Sequence, residues 1–252
     1  MASAIDAFNE ALNEDKVWLK VFVYAIPIYL LAKGYLTGKS EILNFYAAMC
    51  AVFYFSLLTV GINNVRKNRC EIITFNPFTI LKSVILSAIV LIPYSLVCGI
   101  IGNFLTTKFV IPVEIDNFQV IYTVVVWAIL GSIVLTAYLS FAKYMKVSQG
   151  FNYKLISESC IDVLLAFLLF IPQLAIANLI IVGPVFYLYF FFNLPFDNFC
   201  FVAYCSGAFV INLSIVANYF AQIAYEYIKG SDAEYEDNIQ LHEIDSRSDF
   251  MK

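Results

Sequence analysis

Apolar residues run in six long blocks separated by short polar breaks, near Val17–Leu36, Ile42–Ile62, Phe78–Phe104, Phe118–Phe141, Ile161–Phe191 and Phe199–Tyr225. Crossing about 30 Å of hydrocarbon takes about 20 apolar residues of helix, and every block is long enough. Backbone polar groups in lipid must be satisfied inside a helix or a closed barrel. Continuous runs lack the alternation of barrel strands. The predicted fold is therefore all-α, a polytopic membrane protein with six transmembrane helices. Residues 1–16 form an N-terminal segment, 17–229 the transmembrane domain and 230–252 an acidic tail.

The blocks echo one another. The first, third and fifth each contain Ile-Pro, at Ile26-Pro27, Ile92-Pro93 and Ile171-Pro172. The second, fourth and sixth each begin near Asn-Phe, at Asn44-Phe45, Asn117-Phe118 and Asn198-Phe199. Tyr138 and Tyr219 share one offset from the last two pairs, and Tyr144 and Tyr225 share another. The pattern predicts three hairpins, each kinked at Pro27, Pro93 or Pro172. Proline in mid-helix removes a hydrogen bond and clashes with the preceding turn.

The third and fifth blocks exceed an upright crossing. Tilt absorbs some excess; alternatively, their first turns lie along the inner surface, which would keep Lys82, Glu158 and Asp162 at the interface. Phe186, Tyr187, Tyr189, Phe190, Phe191 and Phe192 predict an outer aromatic belt. Trp18 marks the inner interface, and Trp127, near mid-span, is expected to pack between helices. Gly99, Gly102, Gly131, Ser132, Ser206, Gly207 and Ala208 read as positions of close helix approach.

Composition agrees: 62% of residues are hydrophobic and 13% charged, against about 25% charged in a soluble domain. Mean hydropathy is +0.80. The net charge of −4 says less than its placement. Lys16, Lys20, Arg66, Lys67, Arg69, Lys82, Lys143, Lys146, Lys154, Lys229, Arg247 and Lys252 fall on one side of the predicted spans, and only Lys33, Lys39 and Lys108 on the other. The positive-inside rule then puts both termini in the cytoplasm, with residence in the cytoplasmic (inner) membrane. The acidic start, with Asp6, Glu10, Glu14 and Asp15, does not read as a signal peptide, so the first helix is expected to be a retained anchor. Residues 1–15 can form a short amphipathic helix, because Ser3 and Asp6 have a capping-box spacing and Ile5, Phe8 and Leu12 share a face; it reads first as a plain helix end and second as a membrane-surface sensor. The tail from Ser231 to Lys252 is too acidic and polar to bury a core and reads as flexible.

Chemistry-bearing residues are sparse. The single histidine, His242, lies in the tail. None of Cys50, Cys70, Cys98, Cys160, Cys200 and Cys205 forms C-x-x-C, and in apolar spans such cysteines act as small hydrophobes. Glu158 and Asp162, four apart, read first as a solvated helix start and second as a cation site. No phosphate-binding loop, nucleophile elbow or zinc-helix motif occurs, and no catalytic residue, cofactor or metal site is predicted. Gln173, Asn178, Asn212, Asn218 and Gln222 lie within the fifth and sixth blocks. Amides in lipid need partners, so they read either as helix-joining bonds or as a polar path between the last two spans.

Mitochondrial carriers also use three hairpins, but they place an acidic residue two positions after each kink proline. Here those positions hold Tyr29, Ser95 and Leu174, which argues against that family. The opening is closer to another pattern: Phe8-Asn9-Glu10-Ala11-Leu12, Asp15-Lys16-Val17-Trp18-Leu19-Lys20, Ile26-Pro27 and Gly34-Tyr35. About 40 residues there resemble the start of an uncharacterised family of prokaryotic multi-pass membrane proteins with no established activity. The resemblance implies membrane residence and no particular site. The expected function is a non-enzymatic membrane protein that organises or binds lipids or membrane-protein partners. The alternative is a small transporter or permease subunit. A lipid-directed enzyme is disfavoured by the missing acid–base pair. The expected partners are the lipid bilayer and other membrane proteins, not nucleic acid.

Overall fold

A computed structural model describes residues 3–14, 16–38, 41–66, 74, 76–108 and 116–228. Among them there are helices and no strands. The order is α1 (Ala4–Leu12), α2 (Val17–Leu36), α3 (Glu41–Arg66), α4 (Pro77–Lys108), α5 (Asp116–Tyr144), α6 (Val147–Gly150), α7 (Tyr153–Ile181), α8 (Gly183–Phe191) and α9 (Phe199–Tyr227). Six of these, α2, α3, α4, α5, α7 and α9, are long and apolar enough to cross a membrane. The protein is thus a polytopic all-α membrane protein. The acidic tail, with His242, and Cys70 lie outside the described residues.

Prolines 27, 93 and 172 all sit inside helices, in α2, α4 and α7. α3 bonds to the backbone of α2 around Pro27: Tyr54 donates to the carbonyl of Tyr24 at 2.5 Å, and Tyr46 donates to that of Pro27 at 3.2 Å. Packing, however, is not three equivalent hairpins. α4 and α5 pair extensively, whereas α2 and α3 touch each other less than each touches α9. α9 is the central post, in contact with α1, α2, α3, α5 and α7. Its C-terminal half is lined with small residues, and Ala217, Ala221 and Ala224 are all buried. Small side chains let backbones come close, which is how helices associate when lipid removes the hydrophobic drive.

The fifth block departs from expectation at both ends. α7 begins at Tyr153, eight residues before Ile161, because the Asn152 side chain caps it by accepting from Leu155 N at 3.3 Å. Its first turns bury Leu155, Ile156 and Val163, and α7 has no break before Ile181. Glu158 and Asp162 are exposed on this run. The helix then breaks at Val182, where Pro184 cannot donate to the preceding turn. The aromatic residues beyond it form the separate helix α8. Phe186 and Tyr189 of α8 pack on Phe201 of α9 with ring centroids 5.0 and 4.8 Å apart.

Hydrogen bonds settle which helix ends lie together. Asn63 of α3 donates to the Lys143 carbonyl of α5 at 2.8 Å, and Lys143 Nζ donates to Ile228 O, just past α9, at 2.9 Å. Ser159 near the start of α7 donates to Tyr227 O at 3.0 Å. At the opposite end Lys33 of α2 donates to Asp197 O at 2.5 Å, and Gln119 of α5 donates to Thr106 O of α4 at 3.4 Å. Successive spans therefore alternate in direction, and α1 and the end of α9 share one end of the bundle.

Candidate functional site

The most polar buried region lies at the end shared by α1 and the close of α9. α1 is an ordinary capped helix: Ser3 Oγ accepts from Asp6 N at 3.3 Å. Its buried face differs from the expected one. Ile5 is 74% exposed, while Ala7 and Ala11 are at 0% and 1%. Two alanines four residues apart present a flat stripe that fits against the small residues of α9. A larger side chain there would hold the helices apart.

Polar contacts fasten α1 in that seat. Asn218, fully buried on α9, donates to Glu10 Oε2. Gln222 Nε2 donates to Asn218 Oδ1 at 2.7 Å, and Gln222 Oε1 accepts from Ser3 N at 2.7 Å. Beside this chain Lys20 Nζ and Glu14 Oε1 form an ion pair at 2.5 Å, with side-chain exposures of 3% and 1%. Lys16, between them, adopts a left-handed backbone (φ 56°), so that the chain turns from α1 into α2 and the two side chains meet.

Lys143 is a second buried cation, 4% exposed. Its Nζ lies 5.1 and 5.3 Å from the ring centroids of Tyr144 and Tyr225, within the reach of cation–π attraction. These are the two tyrosines that share an offset in the sequence echo. The other echoed pair is also buried, each tyrosine on a phenylalanine of another helix. Tyr138 is buried against Phe55 of α3 and lies 2.9 Å from the Thr59 hydroxyl. Tyr219 is buried against Phe170 of α7.

Four of the five amides fall into two groups. Asn218 and Gln222 belong to the α1 seat. Asn178 and Asn212 meet further along: Asn212 Nδ2 donates to Asn178 Oδ1 at 2.9 Å, joining α9 to α7. Each also donates back into its own helix, Asn178 to Leu174 O and Asn212 to Ala208 O, both at 2.9 Å. Asn218 lies six positions beyond Asn212 on α9, about 9 Å of helix, and the interval holds buried Ser214, Ile215 and Ala217. Gln173 is half-buried and, among the described residues, bonds to neither group. The pairs are thus helix joints rather than a continuous lining.

The small residues also divide. A Cβ on Gly102 would stand 2.9 Å from Trp127 Cη2, and one on Gly207 would stand 3.3 Å from Val21. These two glycines do serve close approach. Gly99 and Gly131 do not, because a Cβ on either meets nothing within 4 Å. Trp127 covers Gly102 but is still 43% exposed.

The buried charges were missed by sequence reasoning. Glu14 and Lys20 are six apart across a helix break, a spacing that carries no pairing signal, and Lys143 reads as one more inner-end cation. Among the described residues no group of three or more His, Cys, Asp or Glu side chains is placed to hold a metal ion. In comparisons with known proteins, no family profile, curated protein or solved structure matches the chain.

Proposed function

We propose that this is a non-enzymatic integral membrane protein of a prokaryotic cytoplasmic membrane that binds or organises lipids or other membrane proteins. One observation carries the reading: among the described residues, Asn178 with Asn212 joins α7 to α9 and Asn218 with Gln222 joins α9 to α1, and no hydrogen bond links the two joints. The resemblance of the first 40 or so residues to a prokaryotic multi-pass family supports the same compartment. Replacing Asn178 and Asn212 together by Leu tests it. Joints of this kind contribute on the order of 0.6 kcal/mol per hydrogen bond, so the variant should fold with a small loss of thermal stability. Lipid and protein recovered with it after mild solubilisation should be unchanged.

The runner-up is a small transporter or permease subunit. Its support is Asn212 Oδ1, which is buried without a hydrogen-bond donor among the described residues. If the double Leu variant folds but abolishes solute flux that the wild-type protein gives in proteoliposomes, the transporter reading replaces the first.

The orientation proposed has the α1 end in the cytoplasm, since Lys16, Lys20, Lys143, Lys146 and Lys154 gather there. A reporter active only in the cytoplasm should work after Arg69 or Lys146 and fail after Ser40, Thr107 or Asp197. Reversal at any two sites overturns the orientation.

A further inference from the structure

A cavity of about 430 Å³ lies among α3, α4 and α5, with Phe220 of α9 also on its wall. Its size falls in the range of ligand pockets, roughly 300–1,000 Å³. The wall is almost wholly apolar. The hydroxyl of Tyr138, one of its few polar groups, is already engaged with Thr59. Water needs two to four polar partners to settle in a cavity, and this wall does not offer them. Left empty, the space would forfeit dispersion contacts along its whole surface.

The cavity is open at the side. Ser95 and Trp127 line it and are exposed, and both belong to membrane spans, so the opening faces hydrocarbon. Gly99 of α4 and Gly131 of α5 also line it. Glycine weakens a helix interior relative to alanine, and here no neighbour forbids a side chain. What the two absent side chains leave is space along the cavity wall. That separates them from Gly102, which is closed over by Trp127.

We propose that this groove is a lipid site that holds an acyl chain of a bilayer phospholipid, with Gly99 and Gly131 keeping the channel clear. The proposal rests on the lipid-binding reading above and deepens it by naming the place and the part of the lipid bound. The sequence holds only two tryptophans, so Trp18→Phe leaves Trp127 as a single fluorescent reporter on the groove wall. The purified protein in detergent is titrated with phosphatidylcholine carrying brominated chains. Quenching should rise to saturation at about one lipid per protein, over a weak linear background from collisions at the exposed ring edge. Adding Gly99→Leu and Gly131→Leu should fill the groove and weaken the saturable phase by about tenfold or more, with the thermal midpoint held or raised. Gly131→Ala should keep most of it. If the double leucine variant does not fold, Gly131→Leu alone is read in its place.

Strictly linear quenching of the Trp18→Phe protein, or saturable quenching that survives in a folded leucine variant, overturns the proposal. Phosphate analysis of co-purified lipid distinguishes the two levels. Retained lipid with no saturable quenching refutes this groove and leaves the broader reading standing; loss of both removes both.

Discussion

Replacing Lys20 by Met should lower the unfolding free energy by about 3–5 kcal/mol, because it breaks a buried ion pair. Lys20 Nζ and Glu14 Oε1 stand 2.5 Å apart with side-chain exposures of 3% and 1%, so the pair itself is shielded from water. The opposite change, Glu14→Gln, removes the same pair and should also destabilise. Changing both, Glu14→Gln with Lys20→Met, should recover much of the loss, since replacing a whole buried pair with neutral groups is often nearly neutral. Thermal unfolding of the four proteins in one detergent gives the double-mutant cycle. Additive losses would mean that the pair is solvated by headgroups and detergent and contributes as little as a surface ion pair does. The pair matters beyond stability because Glu14 follows α1 and Lys20 opens α2. Breaking it should therefore also loosen the α1 seat, seen as faster proteolysis within the first dozen residues or so.

The spans were legible because about 20 consecutive apolar residues form a signal that no soluble element imitates. Their tertiary arrangement was not. The Ile-Pro and Asn-Phe echoes suggested neighbours in sequence as neighbours in space, yet α2 packs mainly on α9. Hydropathy reports how greasy a helix is and not which stripe of it meets protein. The buried stripe of α1 was likewise not legible. In a membrane protein a buried face is chosen for smallness, so Ala7 and Ala11 lie inside and Ile5 outside. The start of α7 was missed because Ser157, Glu158 and Asp162 interrupt the apolar run, while the cap that fixes it is the single residue Asn152. Gly99 and Gly102 look alike in sequence, and only coordinates tell a glycine that admits a neighbouring ring from one that borders open space. The echo did carry structural content at Tyr138 and Tyr219, which are both buried against a phenylalanine of another helix, Phe55 of α3 and Phe170 of α7.

Tyr219 is where that equivalence should have its largest energetic effect. Its ring stacks on Phe170 with centroids 4.1 Å apart and planes at 15°, and the side chain is 2% exposed. Phe170 also touches Phe220 at 5.9 Å, so α7 meets α9 through one aromatic layer. Tyr219→Ala should cost about 3–5 kcal/mol, the range for emptying an aromatic site in a packed interior. Lipid does not lessen this cost, because it comes from lost contacts and a cavity that lipid chains cannot enter from the α9 core. Tyr219→Phe should cost only about 0.6 kcal/mol, the average for a membrane hydrogen bond, since it removes just the 3.4 Å bond to Ala166 O. Phe170→Ala should resemble Tyr219→Ala, and the double alanine variant should fall well short of their sum, because both changes empty one layer. Chemical unfolding in mixed micelles, followed by far-ultraviolet circular dichroism, measures all four. Equal losses for Tyr219→Phe and Tyr219→Ala would show that the hydroxyl, not the stacked ring, holds α7 to α9, and would turn the search for the site's chemistry toward that bond.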